Sequence, residues 1–571
     1  MAINILGLKS SSPQLTHGIN ADTEPLVANG EPEQSKADAE PTVVVEAEDS
    51  PSLTLSEPSD PQALRTLLTG LPSPSSLAWS IATITINLAL VLMSLDLVYR
   101  APLFYQSNDL SFTRVGYVSE NSARILVREP DVNQLPLFVS YKEGDSTAVS
   151  NTNAWSVADK IYYLSNQTDF AHTLTISGLR SSTRYQFSTS NGHYGDFLTA
   201  APAGKLHPFS SKFTFLTTSC IKPRFPYSPL DHPLRIPGLD HLTNWIPSLG
   251  ASFMLFLGDF IYIDVPHRFG FSHHTYRSEY RRVYASPSWP GATKSLPWLH
   301  VIDDHEIAND WDAQLAPPYP QAYDPFQIYH HSVNPPLVSP NATYYSFVQG
   351  PASFFLLDTR RYRSAEFELP PEHPDKTMLG PTQLAAFLAW LKKPEPTGVH
   401  WKIVVSSIPF TRNWRINALD TWSGYLFERQ TILESMWDTA SSSAGMGVVV
   451  LSGDRHEFAA TAFPAPSGDR WREDVSVHEF SCSPLSMFYL PVRSYWEVEG
   501  QGSGVGKGGE DRCVKYLPDG NSKFGAVEIE NLVGGDQSQL KYRLFVDGVE
   551  TWSHVLTTAE GKGRWREALW G

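Results

Sequence analysis

Cysteine is scarce, with three in 571 residues, which excludes a disulfide scaffold and a cysteine-rich zinc module. Positive charge is also in short supply. With 44 basic against 60 acidic residues and a net charge of -16, the chain offers no general electrostatic footprint for a nucleic-acid backbone, so DNA and RNA are not expected partners. Residues 1–76 lack aromatic side chains altogether and hold 11 acidic residues, 3 basic residues and nine prolines. Such a segment cannot bury enough apolar surface to offset chain entropy, and a disordered acidic tail is expected there. The chain as a whole is 41% apolar and 12% aromatic, enough for two to four domains with a sizeable core; collagen-like, fibrous and wholly disordered readings are excluded.

A second absence follows the tail. From Thr66 to Leu95 there is no charged residue, and 14 of the 19 side chains of Leu77–Leu95 are apolar. At about 1.5 Å per residue this stretch nearly spans a hydrocarbon core of about 30 Å, so a transmembrane signal anchor is expected over residues 77–100. The alternative is a buried or interfacial helix, suggested by Ser80, Thr83, Thr85, Asn87 and Ser94. Arg65 before the span and Arg100 and Arg114 after it leave orientation open under the positive-inside rule. The sequons Asn166-Gln-Thr168 and Asn341-Ala-Thr343 both follow the span, which suits a glycoprotein with a lumenal catalytic region in the secretory pathway or another endomembrane.

Residues 112–200 alternate apolar and polar positions in short runs, such as Ala123–Arg128, Leu137–Tyr141 and His172–Ile176, separated by turn formers. This is the pattern of an antiparallel β-sandwich, expected over 110–205. The run Leu174–Phe187, in which a strand ends, Gly178-Leu179 turns and Tyr185 opens the next strand, resembles the corner of fibronectin type III modules. From Phe213 the rhythm changes to short, wholly apolar runs: Phe213–Thr217, Phe253–Leu257, Leu299–Ile302, Phe354–Leu357, Lys402–Val405 and Val448–Leu451. Strands apolar on both faces belong inside a layered α/β structure. A helix is expected over Thr382–Lys392, and Phe524–Glu530 with Leu540–Val546 reads as a closing hairpin, Asp547-Gly548 marking a further turn.

Polar residues recur at the carboxyl ends of these strands, where open α/β sheets build their sites. They are Thr218-Ser-Cys220, Gly258-Asp259-Phe-Ile-Tyr262, Asp303-Asp-His-Glu306 and Ser452-Gly-Asp-Arg-His456. Any one Gly-Asp pair is commonly a turn; four such ends in one sheet are not. Carboxylates, imidazoles, a thiol and a phenol together form a donor set of mixed hardness, suited to a transition metal beside a harder divalent cation. Burying so many acids without a cation would cost several kcal/mol each.

These four segments, in this order, resemble the calcineurin-like metallophosphoesterases, and in detail the alkaline phosphatase D (PhoD-like) family. The resemblance runs over about residues 112–555. It implies a layered αββα metallophosphoesterase sandwich over 211–560, preceded by the fibronectin III-like β-sandwich. It implies a metal-dependent phosphoric ester hydrolase acting on phosphate mono- or diesters, with Cys220 and Tyr262 on an iron, Asp259 as the bridge, Asp304 on the second metal, and Asp454 and His456 closing the site. In that family the pair is iron(III) with calcium; another divalent cation would also suit the second position. The superfamily's histidine after the strand at Lys402–Val405 is replaced by Ser406-Ser407, so that one ligand is absent or supplied by water. His305 is the candidate general acid and Glu306 the residue that orients or tunes it. Asn309 and Arg455 are candidates for phosphate contact or plain surface polarity, and Arg360–Arg363 reads as a solvated face or an ion-pair set.

The Gly500–Gly506 run follows no strand and opens no evident helix, so it reads as a surface loop and not a nucleotide cradle. Cys482 and Cys513 flank it and an oxidising lumen would permit their pairing. Loss of the histidine at Ser406/Ser407 leaves room for a catalytically inactive, membrane-anchored binding or scaffold protein, and a third reading has the acidic tail as an interaction element.

Overall fold

A computed structural model describes residues 65, 68–73, 76–144, 154–266, 270–442, 445–496, 511–532 and 537–559. The expected acidic tail, apart from those few residues, and the Gly500–Gly506 run lie outside the described residues. Helix α1 runs over Leu77–Phe104, 28 residues with a mean hydropathy of 2.1 in its most apolar window, of which only 6% is buried. Its length and composition suffice to cross a bilayer. It continues past the expected limit at residue 100, with Pro102 in its last turn.

The next seven strands form two antiparallel sheets. β1 (Phe112–Val118), β2 (Ser122–Arg128) and β5 (Ala171–Ser177) take the order β1-β2-β5. β3 (Leu137–Glu143), β4 (Ser156–Ile161), β6 (Arg184–Thr189) and β7 (Tyr194–Leu198) take the order β4-β3-β6-β7. Alternate residues of both sheets, among them Ile125, Val127, Val139, Phe187 and Phe197, share one apolar cluster, which is why the sequence alternates. At the corner before β6, the Arg180 amide donates to the Tyr185 hydroxyl at 3.0 Å.

The rest of the chain builds two larger sheets. The first joins β8 (Phe213–Thr218), β9 (Met254–Phe256), β10 (Trp298–His300), β18 (Lys523–Asn531), β19 (Ser538–Val546) and β20 (Val549–Thr557) in the order β10-β9-β8-β18-β19-β20. The second joins β11 (Tyr345–Gln349), β12 (Ala352–Leu356), β13 (Trp401–Val405), β14 (Gly447–Ser452), β15 (Phe458–Pro464), β16 (Ser476–Cys482) and β17 (Arg512–Leu517) in the order β11-β12-β13-β14-β16-β15-β17. The pairs β10·β9, β8·β9, β12·β13, β13·β14 and β14·β16 are parallel.

One cluster takes residues from both sheets, Phe215, Leu255, Val527 and Leu540 from the first and Phe354, Ile403, Val449 and Phe480 from the second, so the sheets pack face to face. The outer face of the first sheet is covered by α2 (Pro237–Leu249), α3 (His273–Tyr284), α4 (Trp289–Thr293) and α5 (Tyr319–Tyr329). α6 (Gly380–Lys392) and α7 (Leu426–Ala440) cover the second. Strands apolar on both faces are the result of this layering. The expected closing hairpin is β18–β19, and Asp547 and Gly548, both at positive φ, turn the chain into β20.

The permitted Cys482–Cys513 pairing is not made. None of the three cysteines is in a disulfide, and β15 lies between the two strands that carry this pair. Next-but-one strands stand about 9.5 Å apart, beyond the reach of a disulfide.

Candidate metal centre

The carboxyl ends of β8, β9, β10 and β14 bring the four motifs together. Two glycines make the approach possible. Gly258 has φ +99, and a Cβ there would lie 2.4 Å from Asp303 Cβ; a Cβ on Gly453 would lie 2.4 Å from Ser219 Oγ. Cys220, Asp259, Asp454 and His456 all take left-handed backbone conformations, at φ 63, 58, 77 and 58. Each costs about 1–3 kcal/mol for a non-glycine residue, and such strain gathers at functional sites.

The donors fall into overlapping groups whose ligand atoms lie within 4.8 Å of one another: Cys220/Asp259/His456, Asp259/Asp304/His305 and Asp259/Asp303/Asp304/Asp454. Asp259 belongs to all three. Its Oδ2 accepts from Cys220 Sγ at 3.3 Å and from the Tyr262 hydroxyl at 3.1 Å, and that hydroxyl is 2.8 Å from His456 Nε2. All seven residues expected at the site, Cys220, Asp259, Tyr262, Asp304, His305, Asp454 and His456, are therefore neighbours.

The electrostatics are those of a site short of positive charge. Burial, reinforced by neighbouring carboxylates, pushes the carboxyls of Asp259 and Asp303 well above their usual range, and Asp454 up to about 6. Burial likewise raises the Cys220 thiol and the Tyr262 phenol. It depresses the His456 imidazole to about 3, helped by the charge on His305. Asp259 Oδ1, Asp303 Oδ2 and Asp304 Oδ1 are buried with no hydrogen-bond donor. Buried carboxylate oxygens without a hydrogen bond, on residues grouped within 4.8 Å, fit divalent or trivalent cations. The Cys220 thiol, the Tyr262 phenol and the His456 imidazole gather at Asp259, which also groups with Asp303, Asp304 and Asp454, a donor set that fits a softer ion beside a harder one.

Burial alone would lower the His305 imidazole, but Asp264, Asp304 and Asp259 together raise it well above its usual value. Its Nδ1 is 2.7 Å from Asp264 Oδ1, and Asp264 Oδ2 accepts from the Asn309 amide at 2.5 Å. The expected orienting role of Glu306 is thus corrected: Asp264 holds His305. Glu306 is wholly buried and accepts from the amides of Asp259 at 3.0 Å, Phe260 at 2.5 Å and Asp303 at 2.8 Å, tying the ends of β9 and β10 together.

Three further residues enter the site that strand-end reasoning does not single out: Asp303 as a donor, Arg360 and Asp420. Arg360 is fully buried; its Nε donates to Asp303 Oδ1 at 2.5 Å and its two terminal nitrogens to Asp420 at 2.7 and 3.0 Å. It also stands 3.3 Å from Asp304 Oδ1, and Arg363 donates to Asp420 Oδ1 at 2.8 Å. For these two arginines the ion-pair reading holds and the solvated-face reading does not. Asp304, Asp310 and Asp420 form a fourth acidic group beside them. Ser407 Oγ donates to Asp303 Oδ1 at 2.9 Å and Ser406 Oγ to the Ile408 carbonyl at 2.6 Å, so neither serine joins a donor group. Arg455 flanks Asp454 at 3.4 Å and is also bonded to the Ile416 carbonyl.

A family model described as PhoD-like phosphatase matches residues 245–532. Two solved structures share the fold. One, titled "Structure of PhoD", has a TM-score of 0.55 at 17% identity and covers 80% of this chain and 91% of its own. The other, a purple acid phosphatase isolated from yellow lupin (Lupinus luteus) seeds, has a TM-score of 0.53 at 11% identity and covers 79% of this chain and 74% of its own. No curated protein matches the chain.

Proposed function

Because the chain belongs to the PhoD-like phosphatase family, we propose that it is a metal-dependent hydrolase of phosphate mono- or diesters whose site holds two cations. Asp259, shared by three donor groups with one carboxylate oxygen unpartnered, is the observation that carries this reading. Cys220, Tyr262, His456 and one oxygen of Asp259 would hold the softer ion, iron(III) in the family resemblance. The other oxygen of Asp259, with Asp304, Asp454 and Asp303, would hold the harder one, calcium or another divalent cation. When bound, such a pair supplies positive charge to the phosphoryl oxygens and lowers the pKa of a water.

The remaining work falls to the chain's own groups. His305, kept protonated by Asp264 and its neighbouring carboxylates, would donate its Nε2 proton to the leaving alkoxide, and Asp264 would hold the ring in the orientation that presents it. Arg455, at the mouth beside Asp454, would meet a phosphoryl oxygen. Arg360 would hold Asp303 and Asp304 in place while carrying one positive charge into an acid-rich pocket. The retained donors weigh against a catalytically inactive scaffold.

The two-sheet unit of β1–β7 would be a fibronectin III-like module over 110–205, and the catalytic domain would run from 211 to 560. α1 would anchor the protein in an endomembrane, and the exposed sequon residues Asn166 and Asn341 would suit glycosylation on a lumenal side.

The test combines metal analysis with hydrolysis of p-nitrophenyl phosphate and its bis ester, with and without chelator. Asp259→Asn should lose both ions and all turnover while the far-ultraviolet circular dichroism stays that of the parent. An Asp259→Asn protein with full metal content and turnover would end the two-cation reading.

A further inference from the structure

The end of α1 is built into the catalytic unit. Residues from Ser94 onward belong to one compact unit with the sheets, and Asp96 is the first charged residue after the apolar stretch Leu77–Leu95. Its carboxylate is ion-paired with Arg224 and accepts from the Tyr227 hydroxyl at 2.9 Å, while its carbonyl accepts from Arg224 Nη1 at 2.9 Å. Arg224 has a side chain only 2% exposed, sits at φ 72 and donates its amide to the Arg235 carbonyl at 2.7 Å. One turn further along α1, Arg100 Nη1 donates to the Pro229 carbonyl at 3.3 Å, and past the helix Tyr105 packs edge-on against His232 at 4.9 Å. Three points along the chain at the end of α1 thus grip a single loop, Arg224–Arg235. That loop leaves the metal centre only four residues after Cys220.

We propose that this loop rests on the surface of the bilayer that α1 enters, with Leu230 inserted at the boundary between headgroups and acyl chains. The inference rests on the reading of α1 as a membrane span. If Leu95 ends the apolar stretch at the hydrocarbon edge, continuity of the helix puts Arg100 about 7.5 Å beyond it. The headgroup regions add about 5–7.5 Å on each side of the hydrocarbon core, so the end of α1 and the loop it grips lie at headgroup level. Leu230, next to the carbonyl that Arg100 holds, is 95% exposed, an apolar side chain with nothing from the protein over it. Tyr99 and Arg100 are a pairing of residue types that favours the same level, an aromatic ring with a polar tip beside a cation that can reach phosphate. The occupant of this surface is lipid, and the loop would hold the opening of the metal centre near the headgroups.

The test uses the full chain reconstituted in phosphatidylcholine vesicles, with a nitroxide placed by Leu230→Cys or, as the comparison, by Phe209→Cys. Phe209 is 94% exposed and precedes β8, outside the Arg224–Arg235 loop that carries Leu230. Labelling of the unsubstituted chain sets the background, Cys220 and Cys482 being buried. In power-saturation spectroscopy, position 230 should be relaxed several-fold more by oxygen, which partitions into lipid, than by a water-soluble nickel chelate. Position 209 should show the reverse. Adding Asp96→Asn, which loosens the grip on Arg224 and Tyr227, should move position 230 toward the pattern of 209. Vesicle-bound protein in which 230 is as open to the nickel chelate as 209 would overturn the proposal. Protein that does not float with the vesicles would overturn the span itself, and the loop placement with it.

Discussion

Replacing Arg360 by methionine removes a positive charge from the most acidic part of the molecule while nearly keeping its volume. The guanidinium is wholly buried and makes three hydrogen bonds, one to Asp303 and two to Asp420, whose side chains are 1% and 3% exposed. Breaking a buried pair by deleting one partner costs about 3–5 kcal/mol, because the other charge is left without compensation. Arg363 keeps one bond to Asp420 at 2.8 Å, which places the expected loss toward the lower end, about 3 kcal/mol. The measurement is urea unfolding of chelator-treated protein followed by near-ultraviolet circular dichroism. In metal-loaded protein the deficit should shrink, since cations on Asp303 and Asp304 take over part of the missing charge. Arg360→Lys, which keeps charge but not the planar fork that reaches Asp303 and Asp420 together, should fall between the two. A chelator-treated Arg360→Met protein within about 0.5 kcal/mol of the parent, the ordinary scatter of surface substitutions, would refute the reasoning.

Acid should weaken the fold through His300 and His330, whose rings stack at 3.6 Å and whose pKa values burial drives well below 6.5. The unfolded chain takes up protons as pH falls through about 6.5 while the native chain does not, so stability is lost below that point at up to about 1.4 kcal/mol per pH unit per histidine. His330→Phe, which keeps the stacking, should flatten that slope in urea midpoints compared at pH 7 and 5; an unchanged slope would contradict it. Iron-loaded protein should absorb visible light through a Tyr262 phenolate, Tyr262→Phe should abolish or shift the band, and Cys220→Ser should retain less metal than Tyr262→Phe; a colourless, active, iron-free parent would defeat this assignment. Removing residues 1–93 should leave a soluble, active catalytic unit, whereas removal through Tyr105 takes away the partners of Arg224, Tyr227 and His232 and should lower its melting temperature by several degrees; equal melting temperatures for the two truncations would show those contacts to be idle.

The strand ends were readable because parallel strands buried on both faces leave continuous apolar runs, and although one Gly-Asp after such a run is commonly a turn, four runs followed by carboxylates, imidazoles, a thiol and a phenol are not. Cys220, Asp259, Tyr262, Asp304, His305, Asp454 and His456 all lie in that pattern, and the family resemblance supplied the metal roles among them. Arg360 and Asp420 did not follow, because their partners lie 57 and 60 residues away and only the packing of two loops unites them. Asp264 sits two residues beyond Tyr262, the last residue of its motif, where nothing local distinguishes an orienting carboxylate from a surface one. Glu306 next to His305 suggested a side-chain pair, yet backbone geometry turned its carboxylate toward three amides. Helix α3 escaped notice for another reason: its buried residues are three tyrosines, Ser278, Glu279, Arg281 and a single aliphatic, Val283, so apolar periodicity hardly registers.

The order of strands in the first large sheet also sets a timetable. β8, which ends at Thr218, two residues before Cys220, is flanked by β9 on one edge and on the other by β18, made near the close of synthesis. Thr218 Oγ1 donates to the Lys523 carbonyl at 2.7 Å across 305 residues of chain, and Lys523 Nζ reaches the His456 carbonyl at 3.2 Å. At about 5–20 residues per second, the ribosome needs roughly 15–60 s to pass from one partner to the other. Throughout that interval the edge of β8 that β18 will cover has no partner strand from this hairpin. A nascent chain of this design has no half-built enzyme to offer. On the proposed two-cation reading, the site would take up its cations only after the last hairpin has closed.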